Sequence, residues 1–325
     1  MGCWSLGALL SGDLLPSVVV SPYIVQILTL AGINVLLAVS LNLINGFTGQ
    51  FSIGHAGFMA IGAYSSAFLS VNYGERLERV FAFLPGSAPR GAVLLLVLAF
   101  GAVLAAIAGF LVGVPSLRLR GDYLAIVTLG FGEIIRVFIL NIDAIGGARG
   151  FSGIPKYASL GWVYFFAAAG ILLVYRVVHS SFGRTLLAVR EDEIAAEAMG
   201  VDTTRAKVIS FVISSAMAGV AGGLFAHYLM YIHTNSFTFI KSIEIIIMIV
   251  IGGLGSITGS VLGAMLYIGL AEGLRAFERF RMVTFSLLLI LIMIFRPQGI
   301  LGRREIFRRR RGGERPVVRM PPGKA

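Results

Sequence analysis

Arg184-Thr-Leu-Leu-Ala-Val-Arg-Glu-Asp-Glu-Ile-Ala-Ala-Glu-Ala-Met-Gly-Val-Asp202 is the one long charged segment in the interior of an otherwise mostly apolar chain. An apolar run ends near Val178 before it, and another begins at Ala206 after it. The segment reads as a short helix. Glu191, Asp192 and Glu193 fall in its first turn, where acids suit the helix dipole. Ala195, Ala196 and Ala198 are strong helix formers. Gly200 is placed as a left-handed stop, and Asp202 or Thr203 can cap the helix that follows. Nine residues of helix span roughly 13 Å, too short to cross a bilayer. The segment therefore reads as a small docking helix held between two membrane spans. An ordinary helical cytoplasmic loop fits the same residues.

The rest of the chain sets the solvent. Of 325 residues, 57% are hydrophobic and 13% charged, and mean hydropathy is +0.88. A soluble domain carries about 25% charged residues, and several apolar runs here reach the ~20 residues that cross hydrocarbon. The expected fold class is an all-α polytopic membrane protein of about 8–10 transmembrane helices, with Gly-broken or re-entrant segments and two related halves. Residues 1–21 are apolar but lack a basic start, so a cleaved signal peptide is not expected. The transmembrane domain is expected over 22–302. Its spans lie near 22–45, 51–71, 91–114, 122–141, 161–178, 206–232, 242–251, 257–274 and 282–295, with the docking helix over 184–202. Residues 303–325 form a basic tail. Cys3 is the one cysteine, which excludes an intramolecular disulfide. His55, His179, His227 and His233 show no metal-ligand spacing.

Charge orients the spans. The net charge is +11, yet no Lys or Arg precedes Arg76, and ten of the 27 lie in Arg296–Ala325. A basic tail directly after a span is a cytoplasmic anchor facing anionic lipid rather than a nucleic-acid site. The Arg118/Arg120 turn, the docking segment and the tail are then all cytoplasmic. The N-terminus is expected outside and the C-terminus inside.

Two glycine breaks recur, one opening Gly46–Tyr64 and the other Gly252–Tyr267. Interrupted segments in matching positions point to a transporter built from two repeats, although Gly-rich membrane helices also resemble one another. Asn34, Asn42, Gln50, Ser52 and His55 surround the first break. They can offer passing hydrogen bonds to a zwitterion, or serve as interhelical glue. Glu133 and Arg136 are three apart on one helix face and can pair. Intramembrane ionisable groups mark paths or neutralise one another, so these two and Glu244 are candidates for either role. His227 reads as a packing histidine. No nucleophile–base pair supports an enzyme, and no Gly-rich phosphate loop supports ATP hydrolysis by this chain. An ion-coupled secondary transporter would need a carboxylate relay, for which Glu133 and Glu244 are the available groups.

Five stretches resemble one family. They are Asn42-Leu-Ile-Asn-Gly-Phe-Thr-Gly-Gln-Phe-Ser-Ile-Gly-His-Ala-Gly-Phe58, Gly121-Asp-Tyr-Leu-Ala-Ile-Val-Thr-Leu-Gly-Phe-Gly-Glu-Ile-Ile-Arg136, the Gly146–Pro155 loop, Ser181-Phe-Gly-Arg through Gly200, and Phe295-Arg-Pro-Gln-Gly-Ile300. Together they resemble the LivM-type permease subunit of bacterial branched-chain amino-acid ABC importers, across most of 40–302. The resemblance implies import of Leu, Ile or Val across the bacterial inner membrane. It also implies a second permease in a heterodimer, two ATP-binding subunits that hold ATP and Mg, and a periplasmic or extracellular substrate-binding protein. No cofactor is implied in this chain. Permeases for urea and short amides look similar, which leaves that substrate class open. The resemblance further implies that Arg184, Arg190, Glu191, Asp192, Glu193, Ala195, Ala196, Glu197 and Gly200 belong to the coupling helix that docks on the ATPase. Ala195-Ala-Glu-Ala-Met-Gly200 departs from the family's usual order of small and acidic residues.

Overall fold

The computed structural model describes residues 21–82, 88–117 and 121–273. The Arg118/Arg120 turn, the expected span at 282–295, the Phe295–Ile300 stretch, Cys3 and the basic tail lie outside the described residues. Ten α-helices carry the described chain. They are α1 (Pro22–Asn42), α2 (His55–Val80), α3 (Ala88–Ser116), α4 (Asp122–Leu140), α5 (Leu160–Val178), α6 (Ser181–Glu191), α7 (Glu193–Ala198), α8 (Thr203–Leu229), α9 (Phe239–Gly252) and α10 (Ile257–Gly273). A two-residue antiparallel pair, β1 (Phe151–Ser152) with β2 (Tyr231–Ile232), clips together the α4–α5 and α8–α9 connections. The protein is an all-α polytopic membrane protein. Among the described residues, five helices are long and apolar enough to cross a membrane, or six if α9 with α10 makes one bent span.

Several boundaries differ from those the sequence suggests. α1 runs on as a π-helix, Leu43–Phe47, so Gly46 lies inside the helical run and the break falls after it. α2 begins at His55 rather than 51 and continues to Val80. The stretch 72–80, beyond the expected span at 51–71, is helical because nothing stops it. Asn72 Nδ2 bonds back to Phe68 O at 2.9 Å, and the exposed Glu75–Arg79 pair at 3.7 Å has helical spacing. α9 has 14 residues and α10 has 17, about 21 and 25 Å, each short of a ~30 Å hydrocarbon layer. A 120° bend separates them. They pack on each other and on α1 as a folded-back pair, not as two successive full spans.

The core is the junction of α2, α3 and α8. α2 has the length of a span but is rich in small and polar residues, and its neighbours enclose it. Gly62 of α2 lies directly against the Gly219 backbone of α8, and a Cβ on Gly101 of α3 would lie 2.9 Å from Gly62 O. Backbones approach this closely only where side chains are absent, which is how membrane helices gain packing without a hydrophobic driving force. Phe58 and Phe211 fill the space beside the junction, edge to face at 5.5 Å.

Candidate functional site: a docking segment joined to two glycine breaks

The charged segment is two helices, not one. Ser180 caps α6, accepting from Gly183 N at 3.3 Å. Asp192 then adopts an extended backbone, φ −156°. Its carboxylate accepts from Ile194 N at 2.9 Å and Ala195 N at 3.0 Å, which starts α7 afresh. Glu191 therefore ends α6, Asp192 is the cap between helices, and Glu193 alone of the three acids lies in a first turn. α7 ends at the left-handed Gly200, φ +83°, and Asp202 Oδ1 caps α8 through Arg205 N at 2.9 Å.

The segment is anchored from below. Lys207 of α8 is 2% exposed and holds Glu193 Oε2 at 2.6 Å. Thr203 donates to Glu197 at 2.7 Å, and Ala196 is buried. Arg184 is exposed and donates to Ser181 Oγ at 3.1 Å. Ala195 faces outward beside Ile194 and Met199, which are 67% and 84% exposed. Two large apolar side chains this open lie on a segment too short to cross a bilayer. The sequence reading passed over Ile194, Met199 and Lys207. Two apolar residues placed among acids were the available signal for the first pair.

Within the fold the two glycine breaks meet. Asn42 Nδ2 donates to Ser256 O, and Asn42 Oδ1 accepts from Gly255 N, both at 2.9 Å. Arg190 reaches into the same junction from α6, donating from Nη1 to Gly46 O at 2.9 Å and from Nη2 to Glu191 at 2.7 Å. Asn45 bonds both backbone groups of buried Ser52, at 3.2 and 3.3 Å, and shapes the first break. Half-buried Gln50 continues that turn, its backbone N–H on Ile44 O at 3.1 Å. His55 is buried with Nε2 2.8 Å from Ser40 Oγ, and Ala56 N donates to Ser242 Oγ at 3.0 Å. The Asn42 and His55 side chains thus have partners within the protein, as glue has, and Ser52 is held through its backbone.

The ionisable pairs lie nearby, each partly exposed. Arg136 Nε is 2.7 Å from Glu133 Oε2, and Glu133 Oε1 accepts from Phe239 N at 3.1 Å. Glu133 therefore neutralises Arg136 and receives the first N–H of α9, where a carboxylate is favoured. It lines a cleft of about 170 Å³ with Ile53, Gly57, Leu129, Phe239 and Ser242. Glu244 pairs with Lys241 at 3.0 Å, and Lys241 also reaches Asn34 Oδ1 at 3.2 Å. Lys241, three residues before Glu244, was visible as a helical partner and was missed.

At the β1–β2 end, His227 is fully buried, with Nδ1 2.8 Å from Gly223 O and its ring stacked on Tyr157 at 5.8 Å. Tyr157 donates to Glu78 at 2.8 Å. Burial, and then that bond, push the Tyr157 hydroxyl above its ordinary range. Among the described residues no group of three metal-ligating side chains occurs.

Residues 23–296 match the family described as the permease component of branched-chain amino acid transport systems. The chain is 38% identical to the high-affinity branched-chain amino acid transport system permease protein LivM of Escherichia coli K12, over 85% of this chain and 69% of that protein. It is 27% identical to the probable branched-chain amino acid transport permease protein LivM of Methanocaldococcus jannaschii, over 86% and 94%. The permease protein BraD of Pseudomonas aeruginosa is 35% identical over 40% of this chain and 43% of its own. No solved structure matches.

Proposed function

The chain belongs to the family of branched-chain amino acid transport permease components, and we propose that it is the membrane permease subunit of an ATP-driven importer of Leu, Ile and Val. In this reading it forms the path with a second permease in the bacterial inner membrane and takes solute from an external binding protein. It couples through α6–α7 to two separate ATP-binding subunits. The observation that carries the reading is the outward face of α7. Ile194 and Met199 are exposed beside Glu191, Asp192 and Glu197, on a capped unit anchored to α8. Such a surface fits a groove on a soluble partner. The chain lacks a phosphate loop of its own, so hydrolysis falls to that partner. Intramembrane polar groups already partnered at home suit weak, passing contact with solute, with selection made by the binding protein outside.

Reconstitution tests this. With a second permease and two ATPase subunits in liposomes, ATP hydrolysis should rise when a Leu-, Ile- or Val-loaded binding protein docks. A docked partner speeds the cycle only by favouring one state of the permease. Stimulation by a urea- or amide-loaded protein instead would move the substrate class. Uptake by the purified single chain under a proton or sodium gradient would overturn the reading in favour of a secondary transporter.

A further inference from the structure

Two helices end at the junction beneath the docking segment. α1 with its π extension ends at Phe47, and α9 ends at Gly252. Each end leaves carbonyls without an in-helix donor and carries partial negative charge. No helical N–H is available to Gly46 O, and Arg190 Nη1 supplies the donor at 2.9 Å from 144 residues away. A Cβ added at Gly255 would lie 2.8 Å from that same Nη1, and one at Gly49 would lie 2.7 Å from Arg190 Cγ. Gly49 and Gly255 have φ of +73° and +79°, so both breaks pass the arginine in conformations suited to glycine. The guanidinium thus lies between the end of α1 and the turn at Gly255 that joins α9 to α10, 18% exposed, with its Nε enclosed and unbonded among the described residues.

The other ties of the segment are of a different kind. Lys207–Glu193 and Thr203–Glu197 hold α7 to the start of α8, the next helix in sequence. Arg190 reaches across the fold to the breaks. Because Asn42 bonds the first break's helix to Gly255 and Ser256, a pull on Gly46 is also a pull on the second break. We propose that Arg190 is the positioning residue that joins the docking segment to both glycine breaks, so that displacement of α6–α7 moves the two breaks as one. This rests on the reading of the chain as the permease of an ATP-driven importer. The guanidinium suits the task because it is planar, permanently charged and offers several fixed donors. It holds Gly46 O with one nitrogen while another holds Glu191.

The test uses the complete complex in nanodiscs, with the second permease, both ATPase subunits and the binding protein. Arg190→Gln removes the charge and leaves only a shorter donor. The expected result is a fall of about tenfold in solute moved per ATP hydrolysed, within the range of typical coupling between sites. Arg190→Lys should recover part of it. An arginine that serves only stability would lower the amount of complex and leave solute per ATP unchanged, and that result would overturn the proposal. Hydrogen exchange on the wild-type complex decides the matter even if the variant does not assemble. Between nucleotide-free and ATP-trapped states, amides 46–50 and 253–256 should change protection together with 193–201. A change at 193–201 with either break unmoved would equally overturn it. A wild-type complex that does not respond to its loaded binding protein would instead refute the importer reading, which separates the two failures.

Discussion

The Asn42 carboxamide makes two 2.9 Å hydrogen bonds, both to backbone groups of the second break. Asn42→Leu keeps the approximate volume and leaves Gly255 N and Ser256 O without it. In water an unsatisfied buried group costs about 1–3 kcal/mol, whereas interhelical bonds in membranes average about 0.6. The second figure governs here, and two bonds make the expected loss about 1–2 kcal/mol, read as a lower unfolding midpoint of the purified protein. An unchanged midpoint would show that the breaks do not depend on this tie. Glu133 is the contrasting case. Glu133→Gln still offers an oxygen to Phe239 N but leaves Arg136 uncompensated within a span, which is costly. The yield of folded protein should fall, and the double change Glu133→Gln with Arg136→Gln should restore it. Restored yield without restored transport would place the pair on the solute's path.

At the scale of elements, the break at Asp192 matters most. It turns one helix into two, so α7 is oriented by its own cap and by Lys207 rather than by the axis of α6. Ala196 N donates to Asp192 O at 3.0 Å, the first bond of α7. Ala196→Pro removes that donor, and proline inside a helix costs about 3 kcal/mol. α7 has six residues and is too short to span a bilayer, so insertion and expression should stay normal while transport is lost; transport at the wild-type rate would remove α7 from the mechanism. The outward face permits a separate check. Ile194→Glu places a charge where an apolar side chain is 67% exposed. It should abolish co-purification of the ATPase without lowering the amount of the chain, and retained co-purification would place the docking surface elsewhere.

For the whole molecule the prediction is one of sidedness. α6–α7 carries exposed charges and exposed Ile194 and Met199, and the expectation from the distribution of Lys and Arg is that this end faces the cytoplasm. In a Cys3→Ser background, Met199→Cys should react with an impermeant thiol reagent in inside-out vesicles and stay unlabelled in right-side-out ones. Met199 is 84% exposed, so access is not limited by folding. The reverse pattern would invert the topology and with it the assignment of the ATPase-facing end.

Sequence alone determined the solvent, the helical class, most helix boundaries among the described residues to within a few residues, and the place of the charged segment between Val178 and Ala206. These are readings of composition and period, which a chain carries locally. It also placed Gly200 and Asp202 correctly, because a left-handed stop and an N-cap are satisfied by neighbours in sequence. It put all three acids of 191–193 in one helix, since propensity could not show that the Asp192 side chain would cap a second start. It read Asn42 and Arg190 as members of separate groups, one at a glycine break and one in the docking helix. Only the tertiary structure brought them to one junction. Their partners are backbone groups of Gly46, Gly255 and Ser256. Every residue offers such groups alike, so no pattern of side chains announces which will be chosen. That choice is made where two glycine breaks fold within reach of one carboxamide and one guanidinium.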